Sequence, residues 1–436
     1  MTMSLIPKSP NDMHRTLARP ARRTAWLFLS IAAICTAAAC SNLLDVKAPD
    51  AIDAQGLEHE VNAELLVNSS IGDFNCAFGS WVVASGMMSG ELLESTQTAS
   101  RWSQDRRDID PNETSYSLGD CEDLGTYTPI QTARFTADHT LGLLEGWSDD
   151  SVPDRTLKIA QMAAYGGYSR ILLGEGYCTA AIQGGPQLTQ TQIFQLAIQK
   201  FDTALTAAQS IENDSLTNLA LVGRARAELD AGDKTAALAD ASLVPVNFVY
   251  YATFKANPNH TANRVYVQNN ANGGVSVTPL YRSFNDPRVL TDSTGALASD
   301  HDTRLITQRK YADGSAPIPM ASGREAQLIA AEATGGAAAI GMLNTARASV
   351  SLPALPISSD PAVVQDAVAS ERARWLFLQG NHLFDVHRFN LTLYPAAGLP
   401  YSITSHKAGS YGTQTCMPIP AAETNNNPNA RTPPAG

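Results

Sequence analysis

The chain has 436 residues, 44% of them hydrophobic but only 7% aromatic, with 31 Lys and Arg against 42 Asp and Glu and a formal charge of −11. That length exceeds one compact core and calls for two or three packed units or an extended superhelix, and the recurrent alanine favours closely packed helices over a β-sandwich. Without residues 1–39, which hold five Lys/Arg and one acidic residue, 26 basic face 41 acidic groups, a charge of −15. Such a surface repels polyphosphates and anionic headgroups, so nucleic acid is excluded as a partner.

Residues 1–39 read as a signal peptide. Arg15, Arg19, Arg22 and Arg23 form a positive lead, and residues 24–39 an apolar stretch too short for a stable membrane span; the polar lead before Arg15 suggests translation from Met13. Ala37-Ala38-Ala39-Cys40-Ser41 resembles a bacterial lipobox, with Ala37 in place of the usual Leu. Cys40 is thus the expected lipidation site, and plain cleavage to a soluble secreted protein is the alternative. Residues 40–50 form an extended tether. Cys35 leaves with the signal, so Cys76, Cys121, Cys178 and Cys416 remain in an oxidising compartment. Four cysteines allow three pairings, and Cys76–Cys121 with Cys178–Cys416 is the expectation adopted. No C-x-x-C spacing or Cys/His cluster suggests a zinc site.

Residues 51–245 form a helical, tetratricopeptide-like half. Leu57, Val61, Leu65, Leu66, Trp81, Val82, Met87 and Met88 recur at helical spacing and predict two helices over 51–93. Residues 94–118, rich in Ser, Thr and Asp with Pro111 and Asn112, predict a long loop of the kind that carries ligand contacts. Helices follow over 125–147 and 154–178, then a stop at Gly184-Gly185-Pro186. Further helices are expected over 191–209, 216–229 and 233–243. Ala197-x3-Phe201-x2-Ala204 has the small/large/small spacing by which repeat helices nest, and Gly232-Asp233 suits a helix end followed by an N-cap. Residues 246–316 change to Asn, Gly, Pro and Tyr and predict an irregular insertion with short strands at Tyr250-Tyr251, Val265-Tyr266-Val267 and Val275-Ser276-Val277. Over 317–389 helices resume at 324–333, 337–349 and 361–378, the last opened by Asp360 and Pro361. Residues 390–436 form a loop-rich tail.

Enzyme motifs are missing. There is no G-x-S-x-G, H-E-x-x-H, P-loop or complete G-x-G-x-x-G, and no spacing singles out a carboxylate pair for glycoside hydrolysis. Asp108-x-Asp110-x-Asn112 begins like a calcium loop but has Pro111 inside it and lacks the glycine such a loop needs. No catalytic residue, cofactor or metal is expected.

The second half carries a set of ordered motifs: Asn285-Asp286-Pro287-Arg288, Arg309-Lys310-Tyr311, Pro317-Ile318-Pro319-Met320 and residues 324–333 (REAQLIAAEA). Leu343-Asn344 with Arg347 follows, then Glu371-Arg372, Phe377-Leu378-Gln379-Gly380, Phe384-Asp385-Val386-His387-Arg388, and Met417-Pro418-Ile419-Pro420 with Glu423, Asn427, Pro428 and Asn429. Together with Leu44-Asp45-Val46 behind Cys40, this order resembles the SusD/RagB family of outer-membrane nutrient-binding lipoproteins. The chain departs from that pattern at Gln379, where Glu is usual, at His382, where Arg is common, and in being shorter than most members. The resemblance implies a mostly α fold, a tetratricopeptide-like superhelix with an irregular, loop-rich insertion.

It also implies a non-enzymatic protein on the external face of the outer membrane that binds an oligosaccharide or peptide and passes it to a TonB-dependent, SusC-like transporter. A surface-anchored scaffold for another protein and a lipoprotein glycosidase are the alternatives. Glu371, Arg372, Asp385 and Arg388 are expected to form partly buried ion pairs that tie helices together. Sugars stack on aromatic faces while polar groups satisfy their hydroxyls. The first candidate ligand residues are therefore Trp102 with Arg101, Asp105 and Arg106 in the 94–118 loop; Tyr250, Tyr251, Tyr266 and Tyr281 in the insertion are the second set. Trp81, Trp147 and Trp375 are expected in the core.

Overall fold

The structure is a computed structural model that describes residues 54–257, 259–401 and 407–434. The expected signal, Cys40 and the tether lie outside the described residues. The chain divides into compact units Met1–Leu57 and Glu58–Gly436; of the first, only the helical turn Ala54–Leu57 is described. No helix among the described residues is long and apolar enough to cross a membrane.

After a short 3-10 turn, Glu60–Asn62, the second unit runs into one long helix, α1 (Ala63–Ser89), where a break between two helices was expected. Every residue from Ala77 to Ser89 is buried, so the apolar positions of its second half mark no single face, and their spacing conceals the continuity. Gly90 ends α1 in the left-handed conformation, φ 81°, with its N–H on the carbonyls of Gly86 and Met87. Strand β1 (Leu92–Glu94) follows, and the expected long loop then contains two helical turns, α2 (Trp102–Arg106) and α3 (Thr114–Leu118).

The helical repeat continues through α4 (Tyr127–Gly146), α5 (Arg155–Gly176), the hairpin β2 (Thr179–Ala181) and β3 (Gln187–Thr189), α6 (Gln190–Ser210), α7 (Asp214–Asp230) and α8 (Lys234–Ala241). From α4 to α8 each helix packs chiefly on the next, the pattern of stacked helical hairpins. The expected stop at 184–186 is the turn of the β2–β3 hairpin. Side chains fix the helix starts: Thr189 and Gln192 form a capping box, Asn213 accepts from the Leu216 amide and Asp233 from the Ala236 amide. The small/large alternation extends across helices, because Phe201 of α6 lies where any side chain on Gly167 of α5 or Gly223 of α7 would have to go. A Cβ there would stand 2.7 and 2.3 Å from the ring.

The insertion contributes β4 (Val249–Ala252), β5 (Val275–Val277), α9 (Pro279–Ser283), β6 (Thr291–Leu297) and β7 (Arg304–Gln308). Two of the three expected strands are present. The third, Val265-Tyr266-Val267, is instead a helical turn, Arg264–Tyr266, that runs into a π-turn, Val267–Ala271, started by the Asn263 side chain accepting from the Tyr266 amide at 3.2 Å. β-Branched composition loses there to a local cap. The π-turn delivers Asn269 to the strands: it donates to the carbonyls of Val275 (2.9 Å) and Ile306 (3.0 Å) and accepts from the Gln308 amide (2.7 Å).

Strand β8 (Ile318–Ser322) pairs antiparallel with β4, as β1 does with β5 and β6 with β7. It leads into α10 (Gly323–Thr334), α11 (Gly336–Ala348) and α12 (Pro361–Trp375), capped by Asp360 as expected, then α13 (His382–Arg388) and α14 (Ala421–Asn426). A small second core of Leu328, Ile340, Leu343, Val364 and Val368 joins α10, α11 and α12. The main core fills the rest, including Trp81, whose indole N–H donates to the Gly380 carbonyl at 3.0 Å.

Buried ion pairs join these helices. Asp385 accepts from Arg372 Nε (2.8 and 2.9 Å) and Arg388 Nη2 (3.0 Å), and Arg388 also meets Glu332. Glu371 accepts from Arg347 Nη1 (2.5 Å) and from Arg288 of the N-D-P-R motif, and Arg226 of α7 reaches Glu325 of α10 at 2.5 Å. Disulfides join Cys76 to Cys121 and Cys178 to Cys416, with Cα separations of 5.8 and 5.1 Å. The pairing is the one adopted from the sequence.

Candidate functional site

The 94–118 loop and the tail meet around a cleft of about 580 Å³, in the size range of small-ligand pockets. One wall comes from Leu93, Glu94 and Asp105, another from Asp302, Thr303 and Arg304 ahead of and in β7. The tail supplies the rest, with Tyr394, Leu399, Pro400, Tyr401, Lys407 and Tyr411. The aromatic rings form a chain: Tyr411 packs edge-on to Tyr401 at 5.2 Å, and Tyr401 lies 6.1 Å from Trp102.

Two buried cations hold the tail in place. Arg107, at φ 54° beyond α2, donates Nε to the Gly412 carbonyl (3.3 Å), Nη1 to that of Tyr394 (3.2 Å) and Nη2 to that of Pro395, while its guanidinium stacks 4.9 Å from the Tyr411 ring centre. These acceptors are neutral carbonyls, and burial pulls its pKa below the usual arginine value. Lys407 pairs with Asp300 at 3.0 Å and donates to the Glu94 carbonyl. Burial opposes ionisation of Asp300, yet hydrogen bonds from Thr303, Lys407 and Asp302 hold its carboxyl down at about 2. The tail also passes so close to α1 that a Cβ on Gly90 would lie 2.3 Å from the Tyr394 carbonyl oxygen.

Asp105 is buried beneath this surface. Its Oδ2 accepts from the Glu94 amide (2.9 Å) and the Tyr401 hydroxyl (3.0 Å), and its Oδ1 has no hydrogen-bond partner among the described residues. Burial pushes its carboxyl up to about 7, against the pull of those two donors. Burial likewise raises the pKa of Glu94, opposed by Arg101.

Of the loop residues singled out in the sequence, Trp102 and Asp105 reach this region. Trp102 is half-buried and its indole N–H donates to the Thr96 carbonyl at 3.0 Å, so the ring both fixes the loop and extends the aromatic chain. Arg101 and Arg106 bind protein groups: Arg101 pairs with Glu94 (3.2 Å) and Gln268 (3.0 Å), and Arg106 with Asp108 (3.4 Å) and the Ala408 carbonyl (3.3 Å). The four insertion tyrosines do not line the cleft. Tyr281 is a correction: it is buried at 1% exposure, stacked on Phe377 at 5.1 Å, and belongs to the core because α9 turns it inward. Tyr250 is half-buried in β4 opposite Ala321 of β8, Tyr266 is half-buried in the turn before the π segment, and Tyr251 is exposed on another face.

Sequence reasoning missed Tyr394, Tyr401, Lys407 and Tyr411 by reading residues 390–436 only as loop. Three tyrosines within eighteen residues, spaced by Pro, Gly and Ala, were the available signal. Among the described residues no group of three or more His, Cys, Asp or Glu side chains is placed to hold a metal ion.

No family model matches the chain, and no curated protein matches it in sequence. Solved structures do match it in fold. A SusD-like carbohydrate-binding protein from Bacteroides vulgatus superposes with a TM-score of 0.59 at 15% identity, covering 87% of this chain and 99% of its own. A SusD-like protein from Bacteroides fragilis gives 0.64 at 12% identity (87% and 98%), and a SusD homologue from Bacteroides thetaiotaomicron 0.62 at 14% (85% and 97%). The chain therefore has the SusD fold, mostly helical and tetratricopeptide-like, over nearly the whole length of those proteins.

Proposed function

We propose that this SusD-fold chain is a non-enzymatic cell-surface lipoprotein, anchored through Cys40 to the external face of the outer membrane, that binds a glycan and hands it to a TonB-dependent transporter. The observation that carries the binding reading is the tyrosine-lined cleft between the 94–118 loop and the tail. It joins aromatic and proline surface, suited to the C–H faces of sugar rings, with the polar ends of Asp302, Thr303 and Arg304, suited to hydroxyls. The carbohydrate-binding Bacteroides vulgatus protein of the same fold supports that choice of ligand. Surface anchoring and transfer to a barrel rest on the lipobox-like sequence at Cys40 and on the ordered SusD/RagB motifs.

A glycan array probed with the purified protein, followed by calorimetry on the hits, tests the binding. Tyr394→Ala and Arg304→Ala alter a half-buried and an exposed side chain of the cleft, and each should weaken a true ligand about tenfold or more while leaving the melting curve in place. Hits unaffected by either variant would place recognition elsewhere. Co-purification with a TonB-dependent barrel from outer membranes, and its loss on Cys40→Ser, tests the other two parts.

A further inference from the structure

On a different face, four guanidiniums gather around two carboxylates. Arg288 meets Asp286 at 2.7 Å and also contacts Glu371, Arg347 meets Glu371 at 2.5 Å, and Arg374 approaches Asp286 at 3.5 Å. Among the described residues Arg324 bonds to neutral groups only, with Nη1 on Gln327 Oε1 (2.7 Å) and Nη2 on Ser349 Oγ (2.9 Å). The cluster thus carries two positive charges in excess within a chain of net charge −11. Its position compounds this, since Arg324 is the second residue of α10, where the helix end is itself electropositive.

Arg288 and Arg324 line a cleft of about 360 Å³ whose lining includes Lys310 and no acidic side chain. Its apolar wall is accessible: Tyr251 is 43% exposed and Leu290 51%. Arg324 is held 4.0 Å from the ring centre of Trp375, so its head is positioned before any ligand arrives. Burial, and after it the neighbouring charge of Arg288, disfavour the protonated Arg324 and outweigh the pull of Glu371, so an incoming anion would offset a repulsion already present. No residue of this lining is shared with the tyrosine cleft.

We propose that this cleft binds an anionic sugar unit, with its carboxylate or sulfate on Arg324 and its ring against Tyr251. The site is independent of the tyrosine cleft and stands or falls separately from it.

Calorimetry on the full-length protein with glucuronate, glucose and inorganic sulfate as probes tests the assignment. Glucuronate should bind at least about tenfold more tightly than glucose at low salt and weaken as salt rises. Arg324→Gln should cost about tenfold or more in that affinity, and Tyr251→Ala should weaken glucuronate but not sulfate. Equal binding of glucose and glucuronate, or unchanged glucuronate affinity in a folded Arg324→Gln protein, would overturn the site. Sulfate binding as tightly as glucuronate would overturn the sugar assignment. Should Arg324→Gln not fold, the exposed Tyr251→Ala variant decides alone: unchanged glucuronate affinity there overturns the proposal.

Discussion

The hydroxyl of Tyr401 donates across 3.0 Å to Oδ2 of Asp105, two residues 296 positions apart in the chain that meet at the candidate cleft. The bond joins the 94–118 loop to the tail and gives the buried carboxyl one of its two donors. Removing the hydroxyl with Tyr401→Phe keeps the ring in the aromatic chain but leaves Asp105 less compensated. That variant should retain the fold, lose about 1–3 kcal/mol of stability, and push the Asp105 carboxyl above its present value, which a carboxylate-resolved NMR titration would read.

Asp105 also sets a pH dependence. Its carboxyl rises from 3.8 to about 7 in the folded chain, chiefly through burial. The folded state therefore keeps a proton that the unfolded state has released, so this contribution is complete below pH 3.8 and disappears as pH climbs through about 7. Denaturant melts from pH 4 to 8 should show the wild type losing stability relative to Asp105→Asn as pH rises, by a total on the order of a few kcal/mol. A difference independent of pH would mean the carboxyl is ionised throughout.

The contact of Phe201 with Gly223 makes a packing prediction. A methyl group on Gly223 would meet the ring at 2.3 Å, and Gly167 of α5 approaches the same ring as closely as only a glycine can. Gly223→Ala should destabilise by about 1–3 kcal/mol despite the better helix propensity of alanine. Pairing it with Phe201→Leu should recover part of the loss in a double-mutant cycle measured by denaturant unfolding.

The two disulfides should differ in effect. They close loops of 45 and 238 residues, and chain-entropy reasoning assigns about 4 kcal/mol to the first and about 5 kcal/mol to the second. Replacing Cys178 and Cys416 with serine should therefore lower the melting temperature more than replacing Cys76 and Cys121, with reductant producing both losses together.

Asp385 accepts from two arginines inside the protein, so charge deletion should cost more than charge replacement. Asp385→Ala leaves Arg372 and part of Arg388 uncompensated and should destabilise by about 3–5 kcal/mol, whereas Asp385→Leu with Arg372→Met should be milder. Thermal melts of the single and double variants would separate them.

The helical framework was legible because its signals are local. Asp360 before Pro361 and Asp233 after Gly232 mark helix starts within a few residues of sequence, and each cap is present in the structure. Glu371, Arg372, Asp385 and Arg388 were legible as structural through their company of large apolar residues, though not their partners: Glu371 takes Arg288 and Arg347, from far upstream. The continuous α1 was not legible, since total burial erases periodicity. Nor was the helical turn at 264–266, where one asparagine cap outweighs two valines. The cleft was half legible. Trp102 and Asp105 stand out in a polar loop, but Tyr394, Tyr401 and Tyr411 meet them only through folding, and no short-range rule couples positions about 300 residues apart.

The segment from Phe389 to Cys416 begins just after a helix locked by Asp385 and Arg388 and ends in a disulfide to Cys178, where the Cys178 amide also bonds the Met417 carbonyl at 2.9 Å. Both ends are thus clamped to helices α13 and α5, and between them the described residues that face the cleft belong to no helix or strand of the scaffold. Such a strap is an exchangeable cassette. Its sequence can change without disturbing the register of a single helix, so divergence among chains of this architecture should concentrate there while the clamps stay put.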